Sequence, residues 1–138
     1  MEYLTRLLYV SRARHGLTED DVMNILETSR AHNAREGITG VLCYGTGYFA
    51  QIIEGPDNEV LRLYVNIARD PRHHDCLLLY LSPTWERLFA QWTMGYVDST
   101  REPTLSFDRL AKYRSEPAGK GRAADIMEDL LRRLKHQG

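Results

Sequence analysis

Five side chains could do chemistry here without carrying charge: Tyr9, Ser29, Asn33, Gln51 and Trp92. Gln51 is the most telling, because it interrupts "GYFAQIIEG", residues 47 to 55, an otherwise apolar strand-like run. Strand side chains alternate between faces, so Phe49, Gln51 and Ile53 share one face while Tyr48, Ala50 and Ile52 share the other. An amide buried between two large apolar neighbours needs partners, since leaving it unpaired costs ~1–3 kcal/mol. A phenol, two amides and an indole between two helices offer donors and acceptors to a flat, polar-edged heteroaromatic ring. No activated nucleophile, paired carboxylates or Ser-His-Asp arrangement stands out, so the set favours binding over catalysis. The residues alone also admit a plainer role, with Gln51 on a backbone group, Tyr9 half-buried in a strand and Asn33 closing a helix.

The elements that must position this set follow from periodicity. "YLTRLLYVS" at 3 to 11 reads as a first strand. Thr18 is expected to cap a helix whose positive first turn holds Glu19, Asp20 and Asp21. Val22, Ile25, Leu26 and Ser29 form its inner stripe, Asn33 continues that stripe, and Gly37 supplies a left-handed stop. "ITGVLCY" at 38 to 44 and the Gln51 strand form a hairpin around Gly45, Thr46 and Gly47. "EGPDN" ends that strand and caps a second helix carrying Val60, Leu63, Tyr64 and Ile67, which "DPRHHD" breaks. "CLLLYL" at 76 to 81 is a fourth strand, and "AQWTMGYV" at 90 to 97 a fifth, whose alternation would put Trp92 and Met94 on one face. The order is an α+β, ferredoxin-like βαββαβ sandwich with an added fifth strand and C-terminal helices. Its first and third strands are antiparallel neighbours, so Tyr9 can face Gln51.

With 138 residues, 43% of them hydrophobic, the chain suits one compact domain with a short extension. Lys plus Arg is 18 against 19 for Asp plus Glu, with no basic patch to suggest nucleic acid. No apolar run reaches the ~20 residues of a spanning helix and "MEYLTRLLYV" lacks the form of a signal peptide, so a cytoplasmic, non-membrane protein is expected. Cys43 and Cys76 read as reduced core residues; a metal site joining them to His73 and His74 lacks ligand-pair spacing. Past Asp98 a polar stretch leads to a short helix within 105 to 115 and then "EPAGKG", read as a linker. A final amphipathic helix over 123 to 136 carries Ile126, Met127, Leu130, Leu131 and Leu134, with Glu128–Arg132 and Asp129–Arg133 pairs opposite. That stripe needs cover, from the sheet's helix-free face or from another subunit. The division expected is residues 1–98 as the main domain and 99–138 as a helical extension.

"LLYVS", "HNAREGITGVLCY", "FAQIIEGP", "DPRHH" and "WTM" stand in an order and spacing that resembles BLUF domains, blue-light sensors that use FAD, over residues 3 to 98. The resemblance implies non-covalent FAD and a hydrogen-bonded relay of Tyr9 and Gln51 with the flavin, with Asn33 on the ring's polar pyrimidine edge. It places Ile25 and Ser29 on the first helix beside the ring and His73 after the second helix. Trp92 and Met94 would lie near the glutamine and complete the photoactive set. His32 stands where many relatives have asparagine, Asn66 where many have a cation, and Ala50 where leucine is usual. Light would drive an electron and then a proton from Tyr9 through Gln51, leaving the amide with changed hydrogen bonds and the absorption shifted to the red. With no room for an effector after residue 98, signalling through a separate protein is expected, from a homo-oligomer that is not itself an enzyme.

Two other classes compete. Acylphosphatase-like hydrolases share the split βαβ fold and need an arginine in a phosphate loop; "SRARHG" offers Arg12 and Arg14 but no glycine-rich cradle. A cofactor-free interaction module would be colourless even with ample flavin.

Overall fold

In the computed structural model, residues 3–101, 106–112 and 119–136 are described. The elements run β1 (Leu4–Ala13), α1 (Glu19–Glu36), β2 (Thr39–Gly45), β3 (Tyr48–Pro56), α2 (Asp57–Ala68), β4 (His73–Thr84), β5 (Gly95–Ser99), α3 (Phe107–Ala111) and α4 (Gly119–His136). They build one sheet of order β4-β1-β3-β2-β5, antiparallel throughout except where β5 lies parallel to β2. This is the expected ferredoxin-like α+β arrangement with its fifth strand. The β1–β3 register sets Tyr9 opposite Gln51.

Local chemistry explains the helix boundaries. The Thr18 hydroxyl accepts from the Asp21 N–H while the Asp21 carboxylate accepts from the Thr18 N–H, a reciprocal capping box. Gly37, at φ 69°, ends α1 in the left-handed conformation that glycine tolerates best. α2 starts within "EGPDN" as expected, with Pro56 as its N-cap and no side-chain cap. A proline fits there because the first helical N–H groups have no intrahelical partner to lose.

Both sheet faces are covered, so β1 and β3 are apolar on both sides. Leu7, Leu42, Phe49 and Ile53 pack with Val22 and Leu26 of α1 and Val60 of α2. On the reverse, Leu8, Val10, Val41, Ala50, Ile52 and Val97 pack with Phe107 and Leu110 of α3 and Met127, Leu130 and Leu134 of α4. The C-terminal stripe therefore covers its own sheet's helix-free face. Each such side chain, fully buried, stabilises the fold by ~1.5–3 kcal/mol.

Three boundaries and one ion pair differ from the sequence pattern. β4 is longer, from His73 to Thr84, because it pairs along almost all of β1. β5 begins only at Gly95; residues 85 to 94 form a loop in which Phe89 and Met94 are buried while Trp85 is 63% exposed, a pattern that strand alternation does not set. α4 begins at Gly119, so it includes "GKG" of the expected linker, while residues 116 to 118 lie outside the described residues. Arg132 as well as Arg133 pairs with Asp129, the Arg133 Nε contact being 3.1 Å. No helix among the described residues is long and apolar enough to cross a membrane.

Candidate functional site

α1 and α2 diverge over the sheet and leave a cavity of about 240 Å³. Its floor is Tyr9 from β1, Leu42 from β2 and Phe49 and Gln51 from β3; α1 contributes Ile25, Thr28, Ser29 and His32, and α2 contributes Leu63, Asn66 and Ile67. Asp70, Arg72 and His73, between α2 and the start of β4, complete the wall. The apolar surfaces are broad and the polar groups few, which is the make-up of a small-molecule site.

Tyr9 is 2% exposed and its hydroxyl donates to Gln51 Oε1 at 2.5 Å. Strand alternation and antiparallel register together enforce that meeting. Burial, with smaller contributions from Cys76, Tyr64 and Asp70, holds the phenol well above its ordinary pKa, so it remains a neutral donor. Gln51, 3% exposed, turns Nε2 toward Met94 Sδ at 3.5 Å. That contact is weak, since thioether sulfur is a poor acceptor. The amide thus has one short bond and one soft one.

His73 is fixed more firmly. Its Nε2 donates to the Ile67 carbonyl at 2.5 Å, and its Nδ1 lies 2.7 Å from the hydroxyl of fully buried Ser11. The ring stands edge-on to Tyr9 and to Phe49, with centroids 6.1 and 6.2 Å away. Asn33 is buried beneath His32, whose Nδ1 is 3.4 Å from Asn33 Oδ1, and its Nδ2 donates to the Thr93 carbonyl at 2.7 Å. At the rim, Arg72 grips Asp70 with Nε at 2.9 Å from one carboxylate oxygen and Nη2 at 2.5 Å from the other. The pair holds Asp70 below the usual carboxylate range and raises Arg72.

Of the residues singled out from sequence, Tyr9, Ile25, Ser29, His32, Gln51, Asn66 and His73 share the cavity wall. Met94 belongs to the same core cluster as Tyr9 and touches Gln51 from behind. Trp92 corrects the expectation that it shares a face with Met94: it packs against the opposite cluster, with Phe89 and Val97. The cause is the loop, which crosses from one face to the other where a strand would have kept both residues on one side. Arg72 and Asp70 escaped the residue-level reading, although both stand in "DPRHH"; the prolyl break there read as punctuation.

The arginines and cysteines singled out from the sequence do not line this cavity. Arg12 pairs with Asp75 and Asp108 and lies 4.0 Å over the Phe107 ring, while Arg14 is 3.8 Å from Asp21. Cys43 and Cys76 pack against opposite faces of the sheet.

A family model described as "BLUF: Sensors of blue-light using FAD" matches residues 4–95. Among curated proteins, photoactivated adenylate cyclase subunit beta of Euglena gracilis is 35% identical over 116 residues, 83% of this chain and 13% of that protein. The chain thus spans about an eighth of the length of such relatives. The solved dark-state structure of BlrB, a BLUF protein, superposes with a TM-score of 0.77 at 33% identity, covering 95% of this chain and 97% of that one. A bacterial light-regulated adenylyl cyclase gives 0.70 at 27% identity, over 95% of this chain and 40% of that chain.

Proposed function

The chain belongs to the BLUF family of sensors of blue light using FAD, and from that premise we propose that Tyr9 and Gln51 are its light switch. The single observation carrying this is the 2.5 Å bond between two buried side chains on the floor of the cavity. The donor set fits a flavin: hydroxyl, imidazole and amide groups of Ser29, His32 and Asn66 stand among the apolar surfaces of Ile25, Leu42, Phe49, Leu63 and Ile67. Ser29, His32, Asn66 and His73 on the cavity wall would hold the ring system, with Asn33 behind His32, and the Arg72–Asp70 ion pair stands at the rim.

Bound FAD supplies blue absorption and, when excited, the power to oxidise a neighbouring phenol. Tyr9 is the phenol on that floor, and oxidation makes its hydroxyl strongly acidic. The nearest acceptor is Gln51 Oε1, which would take that proton; when the electron returns, Tyr9 would regain a proton either from Oε1, leaving an ordinary amide that has rotated, or from Nε2 after rotation, leaving the imidic tautomer. Gln51 is left rotated or as the imidic tautomer. Either outcome replaces its soft contact with Met94 and gives the site a second satisfied hydrogen-bond arrangement.

The chain is a sensor that is not itself an enzyme, with photochemistry in residues 1–98 and a helical extension in 99–138. It acts in the cytoplasm, as a homo-oligomer, on a separate downstream protein; the light-regulated cyclases among its relatives support a partner of signalling type. Illumination of Tyr9→Phe and Gln51→Leu tests the switch. Both should stay yellow and lose the reversible red shift of the flavin bands. A normal shift in either variant assigns the relay elsewhere.

A further inference from the structure

The loop from 85 to 94 is the connection that carries Trp92 on one face and Met94 on the other. Its first half is fastened to a single buried carboxylate. Glu54, three residues beyond Gln51 on β3 and on the opposite face, is 0% exposed. Its Oε1 accepts from the Phe89 N–H at 2.7 Å and the Thr39 hydroxyl at 3.0 Å; its Oε2 accepts from the Leu88 N–H and from Arg6 Nε, both at 3.1 Å. Arg6 also donates to the Glu86 carbonyl at 2.9 Å. From the loop itself, Arg87 reaches back to the Gly37 carbonyl at 2.7 Å and the Thr39 hydroxyl at 3.0 Å.

The second half is tied to α1 and β2. Gly40 N–H donates to the Trp92 carbonyl at 3.0 Å, Asn33 to the Thr93 carbonyl at 2.7 Å, and Arg30 Nε to the Met94 carbonyl at 2.9 Å. Met94 is therefore held from both directions while its sulfur is the soft partner of Gln51. A Gln51 amide that changes its bonds must move Met94 against these ties.

We infer that Glu54 is the positioning residue that sets how stiffly the 85–94 loop resists the rearrangement of Gln51, and so sets the lifetime of the lit state. The inference rests on the photoreceptor reading. Glu54 touches neither the cavity nor Gln51, so it acts only through the loop. In Glu54→Gln an NH₂ group replaces one oxygen and confronts donors on whichever side it lies, Thr39 and Phe89 or Leu88 and Arg6. The loop's first half is then released, and Met94 follows Gln51 in both directions with less resistance.

The experiment compares FAD-loaded wild-type, Glu54→Gln and Arg87→Lys proteins. It reads the size of the red shift, the rate of dark return, the melting temperature, and amide hydrogen exchange at Leu88, Phe89 and Trp92 to Met94 in protein kept dark. Expected for Glu54→Gln are an unchanged red shift, exchange at Leu88 and Phe89 at least tenfold faster, and dark return at least fivefold faster. Arg87→Lys, which retains the charge and a shorter reach, should move the same quantities less, and it carries the test if Glu54→Gln does not fold. A lower melting temperature with dark return within twofold of wild type in both variants would overturn the inference, because Glu54 would then be only structural. Unprotected Leu88 and Phe89 amides in the wild-type protein would overturn it too. A wild-type protein without any red shift would overturn the photoreceptor reading itself and this inference with it.

Discussion

The Tyr9–Gln51 bond can be measured without light. In Tyr9→Phe the ring stays and the hydroxyl goes, leaving Gln51 Oε1 buried without its 2.5 Å donor. In Gln51→Leu the converse holds, and a phenol at 2% exposure loses its acceptor. A buried polar group stranded in this way costs ~1–3 kcal/mol, whereas replacing both partners by apolar groups of similar shape is close to neutral. Each single variant should thus lose ~1–3 kcal/mol, and the double variant no more than the poorer single, a coupling of ~1–3 kcal/mol. Urea unfolding of all four proteins, free of flavin so that cofactor affinity does not enter, gives the cycle. At about 3 °C per kcal/mol, each single variant should also melt roughly 3–9 °C lower. Additive losses, with a coupling below ~0.5 kcal/mol, would mean that the two side chains do not depend on each other, and the relay would lose its physical basis.

Three further outcomes follow from the packing and the titrating groups. A Cβ on Gly95 would lie 2.7 Å from Leu134 Cδ2, so Gly95→Ala must displace the Leu134 side chain or the end of α4, costing up to ~1–3 kcal/mol by urea midpoint; a raised midpoint would mean that Leu134 does not pack against Gly95. Truncation after Asp98 bares the face covered by Met127, Leu130 and Leu134, so the shortened protein should keep its red shift but show a larger apparent mass by light scattering; a lost shift would move the sensory boundary into the extension. Tyr9 is held well above the ordinary phenol range and burial pushes Tyr96 up to about 12; raised folded values mean that their contribution is complete below pH ~10 and is lost as pH climbs through the folded values. Melting temperature followed from neutral to alkaline pH should therefore fall only above pH ~10, and less steeply in Tyr9→Phe; a steep fall between pH 8 and 9 would refute this.

Much of the site was legible because it lies on regular elements. Alternation in "GYFAQIIEG" turned Gln51 inward, and the βαββαβ order paired β1 with β3, so the register followed from two periodicities. Thr18 and Gly37 marked α1 because caps satisfy stranded backbone groups with side chains of known type. The loop from 85 to 94 was not legible. Phe89, Trp92 and Met94 have strand-like composition, and only tertiary contacts with Glu54, Gly40, Asn33 and Arg30 decide that they turn instead. Glu54 itself was passed over because a carboxylate on a strand ordinarily marks a solvent face. Its four partners come from β1, β2 and the loop, which no local window contains.

The most direct measurement is the absorption spectrum of the purified, FAD-loaded protein before, during and after blue illumination. A sensor built on the Tyr9–Gln51 bond should be yellow, shift its flavin bands to longer wavelength in the light with no loss of band structure, and return fully in the dark. A colourless protein that takes up no added FAD, or a flavin spectrum that illumination leaves in place, would contradict it.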